Sequence, residues 1–303
     1  MRYSVNIPNF GDFADPRTVA RLARAAEDAG WDGLFVWDHV LHDRESRRGV
    51  SFGDPWMLLT AAALATTRLR LGTLLTPVPR RRPHQLARQV ATLDGLSGGR
   101  VVLGAGLGGP IEDEYGSFGE PTDPRVLAGM LDEGLELLGR YWSGERVTHR
   151  GTHWTVDDAQ LLPASVQRPR PPVWIGGFWP SRPPMRRAAR WDGAVPLFRE
   201  ASHGTPPDLA QVRELMAYVR EHRAAFAREH PEAYVREHAT PATPFDLVLG
   251  GISPRDPDRA AELIAPYAEA GMTWWDERQA GDGEHIDRLA PVLRRVEAGP
   301  PAY

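Results

Sequence analysis

The chain has 303 residues, 42% of them hydrophobic and 25% charged, with a net charge of -4, which suits one soluble domain of α/β-barrel size with a sizeable core. With no basic excess to neutralise phosphates and no apolar run long enough for a bilayer, neither nucleic acid nor membrane is expected as a partner. Cysteine is absent and every basic residue is Arg, which excludes disulfides, thiolate chemistry, Schiff-base lysines and a P-loop.

The first residues carry one Arg and break at Pro8, unlike a secretory signal, so a cytoplasmic location is expected. Strand one is predicted at residues 3–7, followed by a helix with Val19, Leu22, Ala23 and Ala26 on one face. Strand two, residues 33–38, ends in Asp38 with His39 next. Strand three covers residues 69–75 and its helix turns Leu86, Val90 and Leu93 inward. Strand four, residues 101–104, precedes a helix from Pro124 to about Trp142. The stretch 144–172 breaks the rhythm: residues 147–156, with Gly151 at the centre, read as a small hairpin, and Pro163, Pro169, Pro171 and Pro172 close it. Strands five to eight follow at residues 173–176, 194–197, 245–249 and 272–275, each before a further helix. The dipeptides Asp15-Pro16, Asp54-Pro55, Asp123-Pro124 and Asp256-Pro257 mark helix starts, the Asp as cap and the Pro at the first helical position. Trp31-Asp32-Gly33 and Trp191-Asp192-Gly193 enter strands two and six alike, as repeated βα units require. The whole is read as a single (β/α)8 TIM-barrel domain over residues 1–303, with a small excursion between strands four and five.

A barrel of this kind places chemistry at the C-terminal ends of its strands. Asp38 and His39 stand at such an end: His39 could donate to a ring or trade a proton, and Asp38 could orient it or merely cap the strand. Thr76 with Pro77 ends strand three and could bond a polar ring edge, or be an ordinary turn. Gly104, Gly106 and Gly109 fit the dinucleotide pattern, but Pro110 and the acids Glu112, Asp113 and Glu114 follow at once. A cofactor loop in a barrel is the better functional reading there, with a plain tight turn beside it. Gly176 and Gly177 end strand five and could approach a phosphate, as could Gly250 and Gly251 after strand seven. Of Trp274, Trp275 and Asp276, one Trp should fill the barrel interior. The triplet Arg80, Arg81, Arg82 reads as a solvated loop or oligomer contact. Residues 198–207 read as a lid or a surface connection.

The order of these features resembles the bacterial luciferase-like flavin-dependent oxidoreductases. The likeness rests on Trp37-Asp38-His39, on Leu71-Gly72-Thr73 through Thr76-Pro77, on residues 84–94 with Gly98-Gly99-Arg100, on residues 104–108, and on residues 174–177 before 187–193. The resemblance implies a barrel binding reduced FMN or the deazaflavin coenzyme F420, with hydride transfer to a small organic substrate or oxygen insertion into it. It implies ring contacts from Asp38 and His39, His39 as acid or base, and a non-prolyl cis peptide near Thr73, Leu74 and Leu75. It also implies backbone contacts to ring and tail from Gly106, Gly176 and Gly177; Gly104 and Thr76 complete the expected cofactor set, and no metal ligand is expected. Arg44, Arg47 and Arg48 after strand two, and Phe178-Trp179-Pro180 after the strand-five glycines, depart from the family pattern. The Arg-only composition, rich in Ala, Gly and Pro, looks like a GC-rich actinobacterial coding sequence and tilts the expectation toward F420. A homodimer and a separate flavin reductase are further expected partners. Two other readings stay open: a metal-dependent barrel hydrolase using Asp38, His39, His84 and Asp276, and a flavin-binding protein without turnover.

Overall fold

The computed structural model describes residues 1–43, 45–201, 205–232, 234, 244–278 and 286–301. Among them, eight parallel strands close into a ring: β1 (Arg2–Ile7), β2 (Gly33–Val36), β3 (Arg70–Pro77), β4 (Val101–Gly106), β7 (Val173–Trp179), β8 (Gly193–Phe198), β9 (Asp246–Gly251) and β10 (Trp274–Glu277). Residue Arg2 pairs with Trp274, which closes the ring between first and last strands. The two remaining strands, β5 (Arg146–Arg150) and β6 (Thr155–Gln160), form a separate antiparallel hairpin, the excursion expected at 144–172. Glu133 pins that hairpin, accepting from the main-chain N–H of His153 and Trp154 and lying 2.9 Å from His149 Nε2. A closed ring has no crevice where strand order reverses, so the dinucleotide-fold reading of Gly104, Gly106 and Gly109 is overturned.

The helices begin where the Asp-Pro pairs place them. Each cap side chain accepts first-turn N–H groups: Asp15 for α1 (Pro16–Asp28), Asp54 for α2 (Pro55–Ala65), Asp123 for α5 (Pro124–Ser143) and Asp256 for α8 (Pro257–Ala270). Between them lie α3 (Pro83–Ser97), the short α4 (Ile111–Glu114), α6 (Arg182–Ala188) and α7 (Leu209–Glu229), and α9 (Leu289–Glu297) ends the described helices. Because α6 has 7 residues while α5 has 20 and α7 has 21, a cleft of about 1340 Å³ opens between those two long helices, outside the ring.

The repeated Trp-Asp-Gly has a shared physical content. Asp32 accepts the N–H of Tyr3 at 2.8 Å and Asp192 accepts that of Val173 at 2.8 Å. Each carboxylate thus ties the start of its own strand to the start of the preceding one.

Inside the ring, Phe35, Trp174 and Trp274 pack tilted or edge-on with centroids 5.2–5.9 Å apart, alongside Val102, Val195 and Val248. Gly33, Gly72 and Gly193 leave room for these rings; a Cβ at Gly193 would lie 2.5 Å from Trp174. Trp275 points outward instead, where its Nε1–H donates to Glu277. This plug fills the lower barrel, so within the ring a ligand would sit above it, at the C-terminal ends of the strands.

Candidate active site

At the end of β2 the backbone of His39 is held by one side chain. Asn9 Oδ1 accepts the His39 N–H at 3.2 Å, and Asn9 Nδ2 donates to the His39 carbonyl at 2.8 Å. The side chain is held by another: Nδ1 of His39 lies 2.9 Å from Oε1 of Glu114, the last residue of α4. Glu114 is wholly buried and also accepts the N–H groups of Val40 and Leu41 at 3.2 Å.

Asp38 does not orient His39, as one sequence reading had it. Its carboxylate is buried and accepts from Thr76 Oγ1 at 2.8 Å, from Arg80 Nη2 at 2.5 Å and from Arg81 Nη2 at 2.8 Å. Arg80 also meets the Glu114 carboxylate. The expectation that Arg80 and Arg81 form a solvated run is therefore corrected: their side chains are 7% and 17% exposed. Two buried carboxylates facing two guanidiniums leave a neutral set, which satisfies the strong penalty on unpaired buried charge. Burial, reinforced by Arg80 and opposed by Asp38, pulls the His39 imidazole from 6.5 down to about 4. Its ring is neutral near pH 7.

Aromatic groups from the loop after β2 crowd the same place. The rings of His39 and His42 lie 4.4 Å apart, Trp37 stands edge-on to both, and Arg47 sits 4.1 Å over Phe10. Arg44 lies outside the described residues.

Across the mouth, Thr73 Oγ1 donates to the Gly104 carbonyl at 3.2 Å and lies 3.0 Å from Thr76 Oγ1. The peptide between Leu74 and Leu75 is cis, within the stretch where the resemblance places such a bond. Leu74 packs down on the interior plug, while Leu75 lies across the glycines of the next strands. A Cβ at Gly176 would stand 2.1 Å from Leu75 Cδ2, and one at Gly106 would stand 2.9 Å from it. Those glycines thus form a cradle floored by an aliphatic side chain. Gly177 faces the other way, against Pro184 of α6, and Gly250 and Gly251 are covered by Arg278 and Trp275. Phe178 is 44% exposed above Gly176, with Arg199 over its ring at 5.1 Å.

The metal-site grouping does not assemble. Asp276 is buried against Ser4 and Asn6, both at 2.7 Å, while His84 is exposed on α3. No cluster of three or more His, Asp or Glu suited to a metal occurs among the described residues. Residues 202–204 of the expected lid lie outside the described residues. No described helix is long and apolar enough to cross a membrane.

Several known proteins are similar to this chain over much of its length. The F420-dependent glucose-6-phosphate dehydrogenase of Nakamurella multipartita is 34% identical over 182 residues, 59% of this chain and 50% of that one. The match thus spans about half of that relative's length. The dehydrogenase of the same description from Amycolatopsis mediterranei is 27% identical over 307 residues, 89% of each chain. A solved F420-dependent secondary alcohol dehydrogenase, in complex with an F420-acetone adduct, is alike in fold, with a TM-score of 0.72 at 17% identity over 98% of both chains. The sequence profile of the luciferase-like monooxygenases matches residues 1–287. Since that span takes in every strand of the ring and the whole mouth cluster, the chain belongs to the luciferase-like monooxygenase family.

Proposed function

We propose that the protein is an F420-dependent oxidoreductase that transfers hydride between the deazaflavin and a hydroxyl-bearing carbon of a small organic substrate. The observation that carries this reading is the pairing of a flat, glycine-sided cradle over Leu75 with a neutral, anchored His39 at the same barrel mouth. The cradle suits a planar ring lying on Leu75: Gly106 and Gly176 present main chain without side-chain bulk beside it, and an added Cβ at either would displace the Leu75 side chain, while Gly104 lets β4 close on the Thr73 carbonyl. Thr73, Leu74, Thr76 and those glycines would hold the ring system. When bound, the cofactor supplies the hydride-accepting carbon, and the protein supplies position and electrostatics.

His39 would hold the proton at the substrate oxygen. A neutral imidazole can accept that proton as the carbon gives up hydride, and can return it in the reverse direction. Asp38 serves the site at one remove, by fixing Arg80, Arg81 and Thr76. The F420-dependent dehydrogenases among the relatives favour this chemistry over oxygen insertion, which would call for reduced FMN and a flavin reductase. Assembly as a homodimer, through the outer face of α2 where Met57 and Leu64 are exposed, and a cytoplasmic setting belong to the same proposal.

Anaerobic mixing with F420 and a panel of alcohols and sugar phosphates tests the reading. Wild type should bleach the oxidised cofactor with one carbonyl product per F420 reduced, and His39→Ala should be slower by about 100-fold or more. No turnover with F420 alongside product formation from reduced FMN and oxygen would overturn it.

A further inference from the structure

The carboxylate of Glu114 sits where the orientation of one proton is decided. It is wholly buried, 2.9 Å from His39 Nδ1, and each of its oxygens faces N–H donors: Val40 and Leu41 at Oε1, Val40 and the Arg80 guanidinium at Oε2. A carboxylate that accepts from the N–H groups of Val40 and Leu41 and pairs with the Arg80 cation has no hydrogen to give, so its contact with His39 requires the imidazole to donate. Asp38 is not available for this task, since Thr76, Arg80 and Arg81 occupy both its oxygens. The main chain at His39 is pinned independently by Asn9. Rotation of the ring would therefore sacrifice the Glu114 contact.

We infer that Glu114 is a positioning residue that locks His39 in the tautomer with its proton on Nδ1, leaving Nε2 as the bare, proton-accepting nitrogen. The arrangement resolves an ambiguity that an isolated histidine leaves open, because a neutral imidazole has two tautomers and only one has a free acceptor on the distal nitrogen. The short α4 then has a definite purpose. It carries Glu114 back from the end of β4 to the end of β2, and the Tyr115 hydroxyl, donating to the Leu107 carbonyl at 2.5 Å, fastens the loop that does so. Arg80 extends the coupling, since it bridges Glu114 to Asp38 and so ties the histidine's partner to its chain neighbour.

The kinetic consequence rests on the function proposed above; the tautomer itself does not. The test is a long-range proton–nitrogen NMR spectrum of the cofactor-free protein with labelled histidine, the His39 signal being assigned by its loss in His39→Gln. Wild type should show a protonated Nδ1 and a bare Nε2 at neutral pH. In Glu114→Gln the carboxamide cannot accept from His39, Arg80 and both backbone groups together, so the two tautomers should mix. In that variant kcat should fall by about 100-fold, with KM changed less than about threefold. A proton on Nε2 in wild type, or an unchanged tautomer in Glu114→Gln, would overturn the inference. Should Glu114→Gln fail to fold, the wild-type spectrum alone decides. Absence of F420 turnover with the Nδ1 proton in place would instead sink the proposed function and leave the positioning role standing.

Discussion

A neutral histidine among four charged neighbours is the residue on which the chemistry turns. Burial and Arg80 lower its affinity for a proton to about pH 4, and that shift has a consequence for stability. The unfolded chain takes up a proton on this histidine near pH 6.5 and the folded chain only near 4, so the native state keeps its full advantage above 6.5 and loses it as pH falls toward 4. The Glu114 carboxylate at 2.9 Å opposes this displacement, so its contribution is at most about 3 kcal/mol. Chemical denaturation of wild type and His39→Gln at neutral pH and at pH about 4 should show the variant losing less stability by up to that amount. Parallel losses in the two proteins would contradict the burial argument. The pair Asp38-His39 is legible in the sequence because a strand pattern ends on it and strand ends face the mouth. Glu114 is not legible, since it is one of three successive acids and lies 75 positions from its partner.

At the scale of elements, the mouth is held together by side chains that cross between strand ends. Arg80, just past β3, reaches Asp38 beyond β2 and Glu114 on α4. Its replacement by a neutral side chain leaves Glu114 buried without a cation, while Asp38 retains Arg81. Arg80→Met should therefore lower unfolding free energy by about 3 kcal/mol, as read from denaturant midpoints, whereas an unchanged midpoint would mean the pair is dispensable. The same residue shows why charge runs mislead: three arginines in a turn suggest solvent, and only the closed ring reveals two buried carboxylates beneath the first two, while Arg82 is exposed. The Asp-Pro caps, by contrast, are local signals, and all four start the helices they announce. Gly106 and Gly176 fall between these cases. Their position at strand ends is visible in the sequence, but the reason for them, the Leu75 side chain lying across both, depends on a neighbour 31 and 101 residues away.

For the whole molecule, eight βα units build a ring whose lower half is plugged by Phe35, Trp174 and Trp274 and whose upper end gathers one set of functional groups. The alternation of apolar runs and helical faces is enough to imply that ring. The proline-closed stretch with Gly151 at its centre announces the hairpin between the fourth and fifth barrel strands, but the sequence does not reveal that Glu133 clamps it to α5, or that the short α6 leaves a cleft outside. The account stands on a planar redox cofactor lying in the glycine cradle, and an equilibrium titration of the purified protein with F420, then with FMN, tests it most directly. F420 should saturate at one molecule per chain and bind more tightly than FMN, and Gly176→Ala, whose methyl would push the Leu75 side chain out of its place, should weaken binding by about tenfold or more, with the unfolding midpoint read alongside to separate lost binding from lost fold. Failure of both cofactors to bind, or binding that a folded Gly176→Ala does not disturb, would contradict the account.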